Sequence, residues 1–398
     1  MPKSARAPVK TDDKTNGYAD AGEVARQLLP ESPVFCFSRK QLQERVTIFQ
    51  KGFPGEVSFA VKSNPCPEVI KALTEFGISH WDVASVQEME AVSLAGGKPV
   101  FHYHNPVKSR AEIKDAYLKH GCRRFAVDCR EELRKIADVV SSPKGVEIAV
   151  RFVLPRERTS SAHDFSTKFG SPDYICVDLL REAKERGFTP VLTFHPGSQS
   201  RDPLVYKRHI EAAARIARNA GVEIGKLNVG GGFPANYQRS TGGPLGPFFA
   251  MIQASVTMAF GKGKEPKLEC EPGRGLVATS MSLLTRVKLV CSDGDDLFIN
   301  DGVYGGLMEV MQVSELEPPY RVLRDGEVLH GETKSWKVFG PTCDPIDVLP
   351  HRMELPAAIQ DEDYIEFGNL GAYGIATSTT FNGYGSHKIV EVEEALTI

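Results

Sequence analysis

Residues 57–84 read VSFAVKSNPCPEVIKALTEFGISHWDVA, and their pattern decides the fold. An apolar, β-branched run, Val57–Val61, ends in Lys62, and Asn64-Pro65 stops it. Pro67–Phe76 then carries apolar residues at helical period, and a second short run, His80–Ala84, follows. That order is strand, helix, strand. Six further runs repeat the pattern to residue 275: Val100–His104, Arg124–Asp128, Glu147–Leu154, Pro190–His195, Lys226–Val229 and Lys267–Glu271. Between them lie helical patterns at Val86–Ala95, Ser109–His120, Arg130–Val140, Val177–Arg186, Val205–Ala220 and Pro247–Phe260. Gly96-Gly97 and Gly221 stop two of these helices, where a left-handed residue is needed.

Eight strand-then-helix units are the number that closes a parallel barrel, with the active site on the loops after the strands. An open doubly wound sheet is the alternative. Polar or reactive residues end nearly every run (Lys62, Asp82, Asn105, Asp128, Arg151, His195, Gly230–Gly232, Glu271), and closure gathers all of them on one face. The expected fold is therefore α/β, a (β/α)8 TIM-type barrel over 38–277 with a second β-rich domain. After residue 277 the helical patterns thin out, and strand-like runs follow at Leu283–Cys291, Leu297–Asn300, Ser335–Phe339, Asp363–Phe367 and Ile389–Val392. The early strand Val34–Phe37 is expected to pair into this domain, which then comprises 24–37 and 278–398. Met1–Glu23 is polar and reads as a disordered leader.

The 398 residues balance 48 basic against 51 acidic side chains, a net charge of −3. That balance supplies no electrostatic reason for binding nucleic acid or an anionic membrane. No apolar run approaches the roughly 18–20 residues that span a bilayer. A cytoplasmic protein is expected. The eight cysteines form no C-x-x-C pair, so neither a zinc site nor a disulfide framework is expected.

Lys62 follows four apolar or small residues, which aims it into the barrel mouth, where burial would lower its pKa and make it an imine-forming nucleophile. A solvated surface lysine is the ordinary alternative. Gly230-Gly231-Gly232 follows the seventh run, where such barrels hold phosphate on backbone N–H groups, although a glycine triplet is also a plain turn. Glu271-Pro-Gly273-Arg274 ends the eighth run. A carboxylate there could keep a pyridine nitrogen protonated, and the arginine could fork onto phosphate; a capped turn with a surface arginine is the bland reading. His195-Pro-Gly-Ser198 offers an imidazole able to stack on a planar cofactor and a hydroxyl for phosphate. A satisfied core histidine is the competing reading. In the β-rich domain, Gly340-Pro-Thr-Cys343-Asp344 presents a thiol beside an acid, and Tyr373 and Tyr384 present phenols, each also readable as an ordinary loop.

Together, AVKSN, WDVAS, HNPVKS, KFG, TFHPGS, NVGGGFP, CEPGR, NDGVYG, GPTCD, NLGAYG and TFNGY, in this order from about residue 34 onward, resemble the ornithine decarboxylase branch of the alanine-racemase-fold pyridoxal-phosphate decarboxylases. The resemblance implies pyridoxal 5'-phosphate as cofactor, bound covalently to Lys62. Glu271 would pair with the pyridine nitrogen and His195 would lie on the ring face. Asp82, Glu88 and Arg151 would support ring and lysine. Ser198, the Gly230–Gly232 turn, Gly273, Arg274 and Tyr373 would hold the phosphate. Cys343, from the other subunit of a homodimer, would reprotonate Cα, and Asp344 would bind the distal ammonium of a basic amino acid. The implied reaction is ornithine to putrescine, in polyamine biosynthesis, with no metal.

One stretch departs from the family. After Asn300-Asp-Gly-Val-Tyr304, where ornithine-specific relatives carry an aspartate, the nearest acid is Glu309. Tyr304 and Glu309 are thus further candidate substrate contacts. A one-methylene change in reach discriminates by only about 1–3 kcal/mol, so lysine or another diamino acid stays open. Diaminopimelate decarboxylation would want a cation where GPTCD offers an acid. Amino-acid racemisation would want a second acid–base residue in place of Cys343. An inactive regulatory homologue would have no need of Lys62, the glycine turn, Glu271 and Cys343 together.

Overall fold

The computed structural model describes residues 17–154, 168–240, 242–313 and 315–398, and the backbone of 161–163. Of these, residues within 45–234 and 242–276 form one compact unit, and residues within 17–44, 235–240 and 277–398 a second.

The first unit is a closed barrel of eight parallel strands: Glu56–Ala60, His80–Val83, Val100–Tyr103, Arg124–Val127, Glu147–Arg151, Thr189–Thr193, Lys226–Asn228 and Lys267–Cys270. All eight coincide with the apolar runs, and the eighth pairs with the first through Glu269 and Glu56. Closure, not an open sheet, is the outcome. Helices follow the strands, among them Pro67–Glu75 and Val86–Leu94, and Gly221 ends the helix Leu204–Ala220 in the left-handed conformation. Outside the strands, Phe49, Phe233 and Phe249 pack edge to face.

Inside, the barrel is polar on one side. Ala126, Ala149 and Val191 form a small apolar cluster, but Ser58, His102, Asn228 and Glu269 are also fully buried. Near the strand starts, Arg124 bridges Glu147 at 3.0 Å and Glu269 at 2.7 Å, and Lys226 bridges the same two carboxylates at 3.0 and 3.3 Å. Buried charge of this kind persists only when paired.

The second unit holds a nine-stranded mixed sheet. As expected, Val34–Phe37 joins it, antiparallel to Met281–Val290 and parallel to Lys388–Glu391. The strands Tyr320–Arg324, Glu327–Val328 and Met353–Pro356 also belong to it, although no sequence pattern had marked them.

Two boundaries differ from the sequence reading. Gly17–Glu23 is not a disordered leader: Tyr18 bridges to Val392, and the Asp20 side chain accepts from the Glu23 N–H at 3.0 Å to cap the helix Ala21–Leu28. The buried face of that helix, Ala21, Val24 and Ala25, is what its polar neighbours concealed. Residues 1–16 of the expected leader lie outside the described residues. Residues 38–44 and 235–240 group with the sheet, not the barrel. Ser38 donates to the Glu393 carbonyl at 2.7 Å, and Asn369 donates to the Asn236 carbonyl at 2.5 Å. Among the described residues no helix is long and apolar enough to cross a membrane.

Candidate active site

The strand ends converge on a pocket lined by Lys62, Asp82, His104, Arg151, Thr193, Phe194, His195 and Glu271. Lys62 sits in the single turn Val61–Ser63 that follows the first barrel strand, with its Nζ 3.6 Å from Oδ2 of Asp82. One expectation needs correcting. The Lys62 side chain is 47% exposed, not buried, and its amine faces the Asp82 carboxylate.

That carboxylate is itself under strain. Burial, then the charge of Glu271, push Asp82 up to about 6 against the pull of Lys62. Glu88 is raised to about 7, mainly by burial and then by Asp82; its Oε2 accepts from the Ala84 N–H at 2.6 Å, beside the helix cap Ser85. Burial and the neighbouring Arg151 and Lys62 drive His195 well below the usual histidine range, so the ring is neutral. Its Nδ1 accepts from the Gly197 N–H at 3.1 Å. Burial also lowers Arg151, which stays cationic beside Glu271 and Asp82.

Glu271 takes the opposite course. Burial works against its charge, but His104, Lys62 and Asn228 together hold it down to about 2. The Asn228 amide donates to Oε1 at 2.6 Å, and His104 Nδ1 contacts the same oxygen. Neither His104 nor Asn228 was singled out from sequence. Strand alternation held the signal, because His102 and His104 share one face, and so do Asn228 and Gly230.

Beside this cluster lies the glycine turn. Gly230 and Gly232 have φ of +68° and +87°. A Cβ on Gly232 would stand 2.4 Å from the Gly197 carbonyl oxygen, and one on Gly231 2.6 Å from that of Glu271, so only glycine fits this turn. Arg274, 5% exposed, donates from Nε to Ser198 Oγ at 3.3 Å. Gly273 allows close approach to the first strand's turn, since a Cβ there would meet that of Ser63 at 3.0 Å.

The remaining candidates belong to the sheet unit. The Tyr304 hydroxyl donates to Oδ2 of Asp344 at 2.6 Å, which lowers that acid, and the Tyr304 ring packs on Phe381 at 4.7 Å. Cys343 is exposed, and its N–H donates to Asn382 Oδ1 at 3.1 Å. Buried Asp347 ties these loops together by accepting from the Val303 and Thr342 N–H groups, each at 2.9 Å. Tyr373, half-buried, starts the short helix Gly374–Thr377 from a left-handed conformation. Glu309 is 8% exposed within the helix Met308–Gln312, whereas Tyr304 and Asp344 are half-buried.

An amine, an ionised carboxylate, a neutral imidazole and a glycine-arginine anion cradle are the groups that a phosphorylated pyridine aldehyde requires, so the residues present fit pyridoxal phosphate. Comparison with known proteins agrees. The chain is 29% identical over 362 residues to a lysine/ornithine decarboxylase of Selenomonas ruminantium, covering 89% of this chain and 88% of the relative. It is 30% identical to antizyme inhibitor 2 of Xenopus laevis, over 84% of this chain and 75% of the relative. The solved structure of a Vibrio vulnificus lysine/ornithine decarboxylase complexed with putrescine superposes with a TM-score of 0.79 at 26% identity, covering 92% of this chain and 96% of that one. The family model described as pyridoxal-dependent decarboxylase, pyridoxal binding domain, matches residues 39–278, and the chain belongs to that family of pyridoxal-phosphate enzymes.

Proposed function

We propose that the chain removes the α-carboxylate from L-ornithine, releasing CO2 and putrescine, with L-lysine as its main competitor. The observation that carries this reading is the single cavity joining Lys62, Asp82, Arg151, His195 and Glu271, beside the Gly230–Gly232 cradle. Relatives named for ornithine and lysine support the substrate class. The Asp344 carboxylate, kept ionised by Tyr304, supports recognition of a distal ammonium.

When bound, the cofactor supplies an electron sink for the pair left on Cα as CO2 departs. The protein supplies the rest. Lys62 would hold the cofactor's aldehyde end, and Asp82, 3.6 Å from its Nζ, would hold the amine in place. Glu271 would pair with the pyridine nitrogen and His195 would lie against the ring, with Arg151 and Glu88 balancing the local charge. Ser198, Gly230, Gly231, Gly232, Gly273, Arg274 and Tyr373 would hold the phosphate. Each turnover consumes one proton at Cα, and Cys343 of the partner subunit of a homodimer delivers it.

CO2 release from ornithine, lysine, arginine, 2,4-diaminobutyrate and meso-diaminopimelate decides the substrate. Ornithine should give the highest kcat/KM, and a preference for meso-diaminopimelate overturns the assignment. No release from any of the five, together with no visible cofactor band, would mark an inactive homologue.

A further inference from the structure

His104 lies one residue past the third barrel strand, where its N–H donates to the Val83 carbonyl at 3.2 Å and keeps it in the barrel's hydrogen-bond pattern. Strand alternation turns its ring inward, and there it meets Oε1 of Glu271, the oxygen that already accepts from Asn228. Both bonds fall on one carboxylate oxygen.

The ring is also backed from below. His102, fully buried, lies with its ring centroid 5.4 Å from that of His104. Arg124 and His80 both engage Nε2 of His102, and Arg124 is fixed in turn by Glu147 and Glu269. Burial and then Arg124 keep His102 well below the usual histidine range, so it is a neutral wall. His104 is therefore wedged between that wall and the cavity.

We propose that His104 is a positioning residue: with Asn228 it clamps Oε1 of Glu271 and leaves the second oxygen to serve the cofactor's pyridine nitrogen. The inference rests on the assignment of Glu271 to that nitrogen. Second contacts that orient a metal ligand are worth about 10–100-fold, and the same scale is expected for a carboxylate that must hold one direction.

Charge reinforces orientation. Burial disfavours an imidazolium at 104, but Glu271 and then Asp82 outweigh it and raise the histidine, so the contact is an ion pair. The other charged or titratable groups facing this pair are Lys62, Arg151 and His195 at the mouth, and Glu269 and Arg124 behind. The donor atoms of His102, His104 and Glu271 all lie within 4.8 Å of one another, which has the look of a metal site. A direct nitrogen-to-oxygen contact between His104 and Glu271 leaves no space for an ion between those two, which favours the hydrogen-bonded reading.

The test compares wild-type holoenzyme with His104→Ala, His104→Asn and Glu271→Ala. It reads the pyridoxal phosphate dissociation constant and the pH at which the bound cofactor's visible spectrum changes on acidification. His104→Ala should weaken cofactor retention by about tenfold and move the acid transition to higher pH, because Glu271 loses a cation and becomes more basic. His104→Asn keeps an amide donor, so it should recover most of the retention while the acid transition stays shifted. If Glu271→Ala alters both readouts and neither histidine variant does, His104 has no positioning role. If Glu271→Ala also changes nothing, the assignment of Glu271 to the ring nitrogen falls first, and this inference falls with it.

Discussion

Nζ of Lys62 lies 3.6 Å from Oδ2 of Asp82, a carboxylate only 5% exposed that shares its cavity with the ionised Glu271. Two acids thus flank one amine, and they sit at opposite ends of the carboxylate range, about 6 for Asp82 and about 2 for Glu271. Environments that separate like groups in this way mark a division of roles. Lys62→Ala should remove the visible band of the bound cofactor and reduce CO2 release by roughly a thousandfold or more, the scale of losing a nucleophile that works as part of a unit. A coloured, active Lys62→Ala enzyme would end the mechanism.

Asp82 also makes a prediction about pH. Its folded-state value is raised, so between about pH 4 and pH 6 the folded protein holds a proton that the unfolded chain has released. Acidification through that window therefore favours folding, and the contribution is lost as pH rises through about 6. Cofactor-free Asp82→Asn should melt at a higher temperature than wild type at pH 7.5, and the difference should shrink at pH 5. Calorimetry at the two pH values checks the sign. A difference that grew on acidification would show that Asp82 is stabilised as the carboxylate.

The barrel was legible because each of its strands is an apolar run ended by a polar residue, as Val57–Val61 is by Lys62. Lys62, Arg151, His195 and Glu271 were legible for the same reason, since strand ends in a closed barrel share one face. His104 was hidden in a run where alternation alone distinguishes inward His102 and His104 from outward Phe101 and Tyr103. Tyr320–Arg324 and Met353–Pro356 escaped notice because short strands in a mixed sheet alternate too weakly to stand out from the surrounding loops. Only the start of the helix Ala21–Leu28, up to Glu23, reads as leader, because its burial comes from contacts with Leu284, Val390 and other residues more than 250 positions away in sequence. The exposure of Lys62 depends on the cavity's shape, which no local pattern encodes.

Gly232→Ala should act on the cradle alone. The new Cβ would meet the Gly197 carbonyl at 2.4 Å from a backbone with φ of +87°, so steric and conformational strain add. Strain of this class costs about 1–3 kcal/mol. The expected result is a cofactor dissociation constant raised about tenfold or more, with turnover at saturating cofactor reduced less than retention. Equilibrium dialysis of the variant against pyridoxal phosphate measures it, and unchanged retention would remove the Gly230–Gly232 turn from the phosphate site.

Cys343 is the exposed thiol among the eight cysteines, with Cys129 and Cys291 half-buried and the others buried. Native alkylation should therefore modify Cys343 first. If the thiol hands Cα its proton, the alkylated enzyme and Cys343→Ala should both keep the visible band and still consume substrate while losing most clean diamine formation. Product analysis by mass spectrometry separates the outcomes, and an unchanged diamine yield would discard the proton-donor role.

Asp344 tests the substrate end independently of the cofactor. The Tyr304 hydroxyl bond at 2.6 Å keeps this acid ionised, and the Ile346 N–H holds its other oxygen at 3.0 Å, so the carboxylate is oriented before any substrate arrives. Asp344→Asn preserves shape and removes charge. It should lower kcat/KM for ornithine and lysine by about 10–100-fold, while cofactor binding stays at the wild-type level. Tyr304→Phe should follow in the same direction with a smaller loss, because it removes only the bond that holds the carboxylate ready. Equal losses for a diamino acid and for a neutral amino acid of the same length would show that Asp344 supports the loop without reading the substrate's distal charge.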